Sequence, residues 1–208
     1  KPMKVLSVGG SVLAPDGVDM AFVEALISSI EKGAILVVGG GKAARTMISA
    51  DDRLSDEAKD RIGIAATRMN ARFLIEELLA AGIDVCPEVL VSTDIPSGYD
   101  VYCMGGLTPG RTTDDVAMQM AIAHDAPIVV NCTNVDGVYD KDPREPGAKK
   151  YATLSWDSYL EMFPAHTPGL HAPFDPTAAA RAQKHGITVL VVDGRQYVKG
   201  CADGTRLS

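Results

Sequence analysis

Ala34-Ile35-Leu36-Val37-Val38-Gly39-Gly40-Gly41-Lys42-Ala43-Ala44-Arg45 decides the fold class. Its first five residues are apolar without alternation, the pattern of a strand covered on both faces in a parallel sheet. Three glycines end the run, and a short helix is predicted from Lys42 to about Ala50. Consecutive glycines are costly in chain entropy unless backbone must be approached closely.

The same order repeats outward in both directions. Val5 to Val8 reads as a strand ending in Gly9-Gly10-Ser11. Asp19 caps a helical stretch (Phe22, Val23, Leu26, Ile27, Ile30) that Gly33 is expected to end. Ser55-Asp56-Glu57 places a hydroxyl cap before first-turn acids, predicting a helix to about Ala81 with Gly82 as its stop. Val101 to Met104 is a strand entering Gly105-Gly106, and Thr112-Thr113-Asp114-Asp115 opens a helix carrying Val116, Met120 and Ala123. Pro127 to Cys132 and Ile187 to Val192 are further buried strands, with helices over Ser155 to Phe163 and Asp175 to His185. Lys141 to Lys150 is a polar loop. Strands separated by helices predict one α/β domain over residues 1–208 with a mostly parallel sheet covered on both faces. If two lobes exist, the seam falls near Gly105 to Gly110.

Composition excludes several classes. The 208 residues are 46% apolar, and no apolar run reaches the roughly 18 to 20 residues of a membrane span. A net charge of −7 argues against a nucleic-acid binder, because an acidic surface repels a polyphosphate backbone. Lys1-Pro2-Met3-Lys4 runs straight into the first strand without a cleavage signature, so no signal peptide is expected, and Met3 suggests that Lys1 and Pro2 are an added extension. Cys86, Cys103, Cys132 and Cys201 form no C-x-x-C pair; reduced thiols and a cytoplasmic location are expected. The histidines His124, His166, His171 and His185 share no metal-ligand spacing, and surface or loop roles are expected.

Chemistry belongs at the carboxyl ends of the strands, where an open parallel sheet binds ligands. Four loops fall there: Gly9-Gly10-Ser11, Gly39 to Lys42, Gly105 to Asp114, and Thr133 to Asp142. Glycine lets a phosphate reach main-chain N–H groups, and the helix start behind it adds partial positive charge. Two phosphorylated ligands meeting in one cleft would use all four loops. The triple glycine is not a Walker A loop, since Ala43 replaces the Ser or Thr. It matches G-x-G-x-x-A at Gly39, Gly41 and Ala44, but Asp60, about 20 residues on, lies early in a helix rather than at a strand end. Lys42 and Arg45 share a helix face, either solvated or directed at a ligand. Asp60, Gly63, Thr67 and Asn70 form a polar stripe that either faces water or, because of its glycine, is closely approached. Thr112 is a cap, with Asp115 expected to complete a box-like arrangement. Serine-hydrolase and zinc-protease motifs are absent from the sequence.

Taken in order, these motifs resemble the amino acid kinase superfamily. The carriers are Gly-Gly-Ser, Gly-Gly-Gly-Lys-Ala-Ala-Arg, Asp60-x-x-Gly63-x-x-x-Thr67-x-x-Asn70, and Gly-Gly-Leu-Thr-Pro-Gly-Arg-Thr-Thr-Asp. Thr-Asn-Val-Asp-Gly-Val-Tyr-Asp-Lys-Asp-Pro and Phe174-Asp175-Pro176-x-x-Ala179 complete them. Within the superfamily the chain is most similar to UMP kinases of the archaeal type. The resemblance implies a three-layer α/β/α, carbamate kinase-like fold with a UMP half (about 1–110) and an ATP half (about 111–208). It implies γ-phosphate transfer from ATP, carried with Mg²⁺, to UMP. Gly9, Gly10, Gly41 and Arg45 would face the ATP phosphates, and Thr133, Asn134, Tyr139 and Asp142 would line the adenosine site. Gly40, Asp60, Leu107, Thr108, Pro109, Gly110, Arg111, Thr112, Thr113 and Asp114 would hold UMP, with Asp60 on its ribose and Arg111 a candidate for its phosphate. Lys42, Arg45 and Asp175 would act at the transfer centre, and no protein metal site is expected.

Ser7 departs from the superfamily, many of whose members carry a lysine there; archaeal-type UMP kinases also tend to lack it. Asn134 stands where the bacterial enzymes tend to have lysine. Two alternatives stay open: an oxyanion store for molybdate or tungstate on the same fold, and a sister kinase of isopentenyl phosphate or carbamate. The family implies a hexamer, and Phe73, Leu74, Leu78 and Leu79 would serve either assembly or core.

Overall fold

The computed structural model describes residues 3–165 and 171–208, so the expectations for Lys1, Pro2 and His166 lie outside the described residues. In chain order the elements are β1 (Lys4–Val8), α1 (Gly10–Leu13), α2 (Met20–Ser29), β2 (Ala34–Val38), α3 (Gly41–Ile48), α4 (Asp56–Ala80), β3 (Val101–Met104) and α5 (Thr113–Ala123). They continue with β4 (Ile128–Thr133), β5 (Thr153–Leu154), α6 (Trp156–Met162), α7 (Pro176–His185), β6 (Thr188–Asp193), α8 (Gly194–Tyr197) and β7 (Gly204–Leu207). The sheet order is β3-β2-β1-β4-β6-β7-β5. Strands β3, β2, β1, β4 and β6 run parallel, and β7 pairs antiparallel to β6.

Both faces of the sheet are covered, as the unbroken apolar runs require. Along β2, Ile35 and Val37 join a core with Val116, Tyr159 and Ala178 of α5, α6 and α7. Leu36 and Val38 point the other way, against Phe22 of α2 and Leu74 of α4. The architecture is therefore three-layer α/β/α.

The caps fall where local chemistry placed them. Asp19, Ser55, Thr112 and Ser155 each accept from a backbone N–H in the following turn. Gly82, at φ +76°, follows the end of α4. One stop differs: α2 ends at Ser29, and Gly33 instead turns the chain into β2. The hydroxyls of Ser28 and Ser29 donate back to the carbonyls of Glu24 and Leu26, a competition that weakens a last helical turn. Cys86, Cys103 and Cys132 are buried, Cys201 is exposed and all four are free; burial pushes the Cys103 and Cys132 thiols up to about 12.

The chain builds outward from β1 to β2 and β3, then returns through α5 to β4 and β6 on the other side. The strand order thus reverses between β1 and β4, and the carboxyl ends of those strands frame the natural ligand crevice. Gly9 N–H donates to the Cys132 carbonyl at 2.9 Å across that point.

Candidate active site

The glycine loops after β1 and β2 pack on each other. A Cβ on Gly10 would lie 2.0 Å from Gly41 N, and one on Gly39 would lie 2.4 Å from Gly10 N. The close approach that the triple glycine demands is therefore made first by the chain's own backbone. Asn70, buried on α4, fixes this joint by donating to the carbonyls of Gly39 (2.8 Å) and Gly40 (3.1 Å).

The polar stripe of α4 runs from exposed Asp60 through half-buried Gly63 to buried Thr67 and Asn70. Asp60, Gly63 and Thr67 line a cleft of about 270 Å³ together with Gly40, Ala44, Gly106, Arg111, Thr112 and Thr113. Ile48, Lys59 and Ile64, which no motif flagged, complete its wall. Gly63 is not tightly contacted: a Cβ there would meet only Ile48 Cδ1, at 3.6 Å. The loop from Gly105 to Gly110 is stitched to α4 at three points. Thr67 Oγ1 accepts from Gly106 N–H (2.7 Å), Arg68 donates to the carbonyls of Gly106 and Leu107, and Asp60 Oδ2 accepts from Gly110 N–H (2.6 Å). Thr108, Pro109 and Gly110 form the exposed crest of that loop.

A second cavity of about 890 Å³ opens beyond β4. Thr133, Asn134, Tyr139 and Asp142 all line it, with Val135, Met162, Phe163 and Pro173 supplying apolar surface. The Tyr139 hydroxyl donates to Asp136 Oδ1 at 3.0 Å, which holds the ring in the wall. Arg144 pairs with Asp142 and holds its carboxyl down to about 2. Met162, Phe163 and Pro173 lie outside every motif that the sequence offers; only their apolar character beside a loop could have flagged them.

A carboxylate network runs from Thr112 of the cleft wall to Asp175, two residues after Pro173 of the cavity wall. Ser7 Oγ donates to Asp114 Oδ1 (3.0 Å), and Asp175 N–H donates to Asp114 Oδ2 (3.1 Å). Thr112 Oγ1 donates to Asp175 Oδ2, and Asp175 also caps α7 through Thr177 N–H. Burial pushes the Asp114 carboxyl up to about 6, against the pull of these two hydrogen bonds. Ser7, whose interest lay only in its departure from lysine, thus ties the end of β1 to the starts of α5 and α7.

Two further placements bear on the sequence expectations. Lys42 pairs with Asp16, and Arg45 Nη2 reaches the Pro15 carbonyl at 3.5 Å, so both cations rest on the segment after α1. Asp115 does not complete a capping box. Its N–H donates to Thr112 Oγ1, but its carboxylate is buried against Arg181, Gln119 and Arg111. A capping box needs a side chain free to reach back along the helix surface, and Arg181 of α7 draws this one inward.

A mostly parallel sheet with glycine turns, helix starts and two hollows at the carboxyl ends of its strands defines a doubly wound α/β protein. The model of the amino acid kinase family matches residues 2–193, and the chain belongs to that family. It is 36% identical to the uridylate kinase of Methanospirillum hungatei over 93% of this chain and 86% of that protein. The uridylate kinase of Archaeoglobus fulgidus is 36% identical over 97% of each chain. The crystal structure of uridylate kinase from A. fulgidus superposes with a TM-score of 0.81 at 33% identity, covering 99% of this chain and all of that one. The UMP kinase of Bacillus anthracis, at 21% identity and a TM-score of 0.78, shares the fold.

Proposed function

We propose that this chain transfers the γ-phosphate of MgATP to UMP, giving UDP and ADP. The observation that carries the reading is a pair of hollows, one lined by Asp60 and the Arg111–Thr113 turn, the other by Thr133, Asn134 and Tyr139, with Thr112 of the first bonded to Asp175, two residues after Pro173 of the second. UMP lies in the smaller cleft with its ribose hydroxyls on Asp60, and the adenosine of ATP lies in the larger cavity. Residues 1 to about 110, completed by the 111–113 turn, then supply the acceptor cleft, and the remainder supplies the adenosine cavity. The relatives named above are kinases by name, which leaves the oxyanion-storage alternative without support.

The reaction breaks the bond between the γ-phosphorus and the β,γ-bridging oxygen and forms one from a UMP phosphate oxygen to that phosphorus. The attacking oxygen is already anionic, so no general base is required. The protein has to align the two phosphates and offset their charge. Main-chain N–H groups of the Gly10 and Gly41 turns, the start of α3, and Lys42 and Arg45 released from Asp16 and Pro15 serve that role. Among the described residues no group of three or more His, Cys, Asp or Glu is placed to hold a metal. Magnesium would enter with ATP, held by nucleotide phosphates and water.

Leu74 and Leu78 are core residues, whereas Leu79 and Met69 are 44% and 58% exposed on the outer side of α4. Family likeness supports a homo-oligomer, a hexamer, acting in pyrimidine nucleotide synthesis in the cytoplasm. The function is tested by ADP release with MgATP across UMP, CMP, glutamate, aspartate and isopentenyl phosphate. Turnover with UMP far above the others is expected; turnover with an acidic amino acid and none with UMP would overturn the reading.

A further inference from the structure

Asp115 is the most deeply buried carboxyl group beside the acceptor cleft, with only 1% of its side chain exposed. Burying a carboxylate is unfavourable unless a full counter-charge accompanies it. Arg181 supplies that charge, with Nε 2.8 Å from Oδ1 and Nη2 3.5 Å from Oδ2. Gln119 Nε2 adds a third donor, 3.1 Å from Oδ2. Arg111, one helical turn before Asp115, then makes a longer contact of 3.4 Å to the same Oδ2 while 42% of its side chain stays exposed in the cleft wall. Two cations thus share one buried anion, and only Arg181 is needed to satisfy it. Arg111 can turn to a ligand without leaving Asp115 unpaired.

We propose that Asp115 and Arg181 are positioning residues that hold the Arg111 guanidinium over the cleft, ready for the phosphate of the acceptor nucleotide. The inference rests on the UMP reading above. Arg181 holds the Asp115 side chain in place, and Asp115 keeps Arg111 from folding back on the exposed loop crest. Among the described residues, Lys59, the other cation of the cleft wall, has no carboxylate partner.

Steady-state kinetics on the full chain, with UMP and MgATP varied separately, tests this. Arg111→Met and Asp115→Asn are each expected to raise KM for UMP by about tenfold or more, with KM for ATP within about twofold. The double variant is expected to be no worse than Arg111→Met alone, because both changes remove one interaction. Should Asp115→Asn fail to fold, Arg181 gives the second arm: Arg181→Met raises KM for UMP, and Arg181→Lys, which keeps the charge, recovers most of that loss. Multiplicative losses in the double variant, equal shifts in both KM values, or no difference between the Lys and Met variants would overturn the proposal while leaving UMP as substrate. An unmodified protein that turns over ATP with another acceptor but not UMP would overturn the function and this proposal together.

Discussion

The two hollows lie on one edge of one sheet, yet they are built from different material. The smaller is walled by α3, α4 and the start of α5, and its polar groups are tied down: Asn70 to the glycine joint, Thr67 and Arg68 to the 105–107 turn, Asp60 to Gly110. The larger is walled by loop residues between Thr133 and Arg144 and by Met162, Phe163, His171, Ala172 and Pro173, with Asn131 Nδ2 donating to the Pro173 carbonyl at 3.0 Å. A site on helices holds its donors and acceptors in fixed positions, whereas a loop-walled cavity of nucleotide size adapts. The contrast places discrimination on the acceptor side and tolerance on the donor side.

The largest effect is expected at the joint that both sides share. Gly10→Ala would drive a Cβ to 2.0 Å from Gly41 N and 2.6 Å from Gly41 Cα, so backbone must move. A loss of at least about 3 kcal/mol is expected, seen as a thermal midpoint lower by about 6–12 °C. An unchanged midpoint would show that the loops are looser than their packing implies.

Next in size, Asp60→Ala should raise KM for UMP by about 10- to 100-fold and leave KM for ATP alone, the loss expected of a charge-assisted hydrogen bond. Tyr139→Phe, on the loop-built side, should raise only KM for ATP, by about 2- to 5-fold. Equal effects of the two changes would erase the difference between the hollows.

Asp114, in the carboxylate network, reads out through pH. Its carboxyl is raised from the ordinary aspartate value to about 6, so the folded protein holds a proton that the unfolded chain releases near pH 4. Stability from this group is present below pH 4 and is lost as pH rises through 6. Asp114→Asn should remove that slope, gaining about 1–2 kcal/mol on the wild type between pH 4 and 7 in urea unfolding, since water still reaches part of the residue. Parallel stability curves for the two proteins would contradict it.

The smallest effect is expected at Gly63, where a Cβ meets nothing closer than 3.6 Å. Gly63→Ala should raise stability by about 0.5–1 kcal/mol through helix propensity. If KM for UMP rises as well, the acceptor itself comes close to Gly63, sharpening the account of that wall.

How much of this was legible in the sequence varies with the distance over which each feature is determined. Ser55, Asp56, Glu57 and Gly82 bound α4 to within a residue, because caps and stops are local chemistry. The parallel core was legible because five-residue apolar runs such as Ala34–Val38 have no other stable home. β7 was not legible: Gly204–Leu207 is short, carries Arg206 and alternates in burial, and its pairing to β6 is a tertiary fact. The site residues followed from motif order, but their partners did not. Spacing put Lys42 and Arg45 on one helix face without revealing that Pro15 and Asp16 lie across from them. The Thr112–Asp115 spacing was read as a local box because nothing nearby in sequence announces Arg181, 66 residues on.

A crystal structure of the chain with UMP and a non-hydrolysable ATP analogue bound together tests the division of labour most directly. The pyrimidine nucleotide is expected against Asp60 and the Arg111–Thr113 turn, adenosine against Asn134 and Tyr139, and the facing phosphates beside Asp175. Both nucleotides in the loop-walled cavity, or their phosphates pointing away from Asp175, would contradict it.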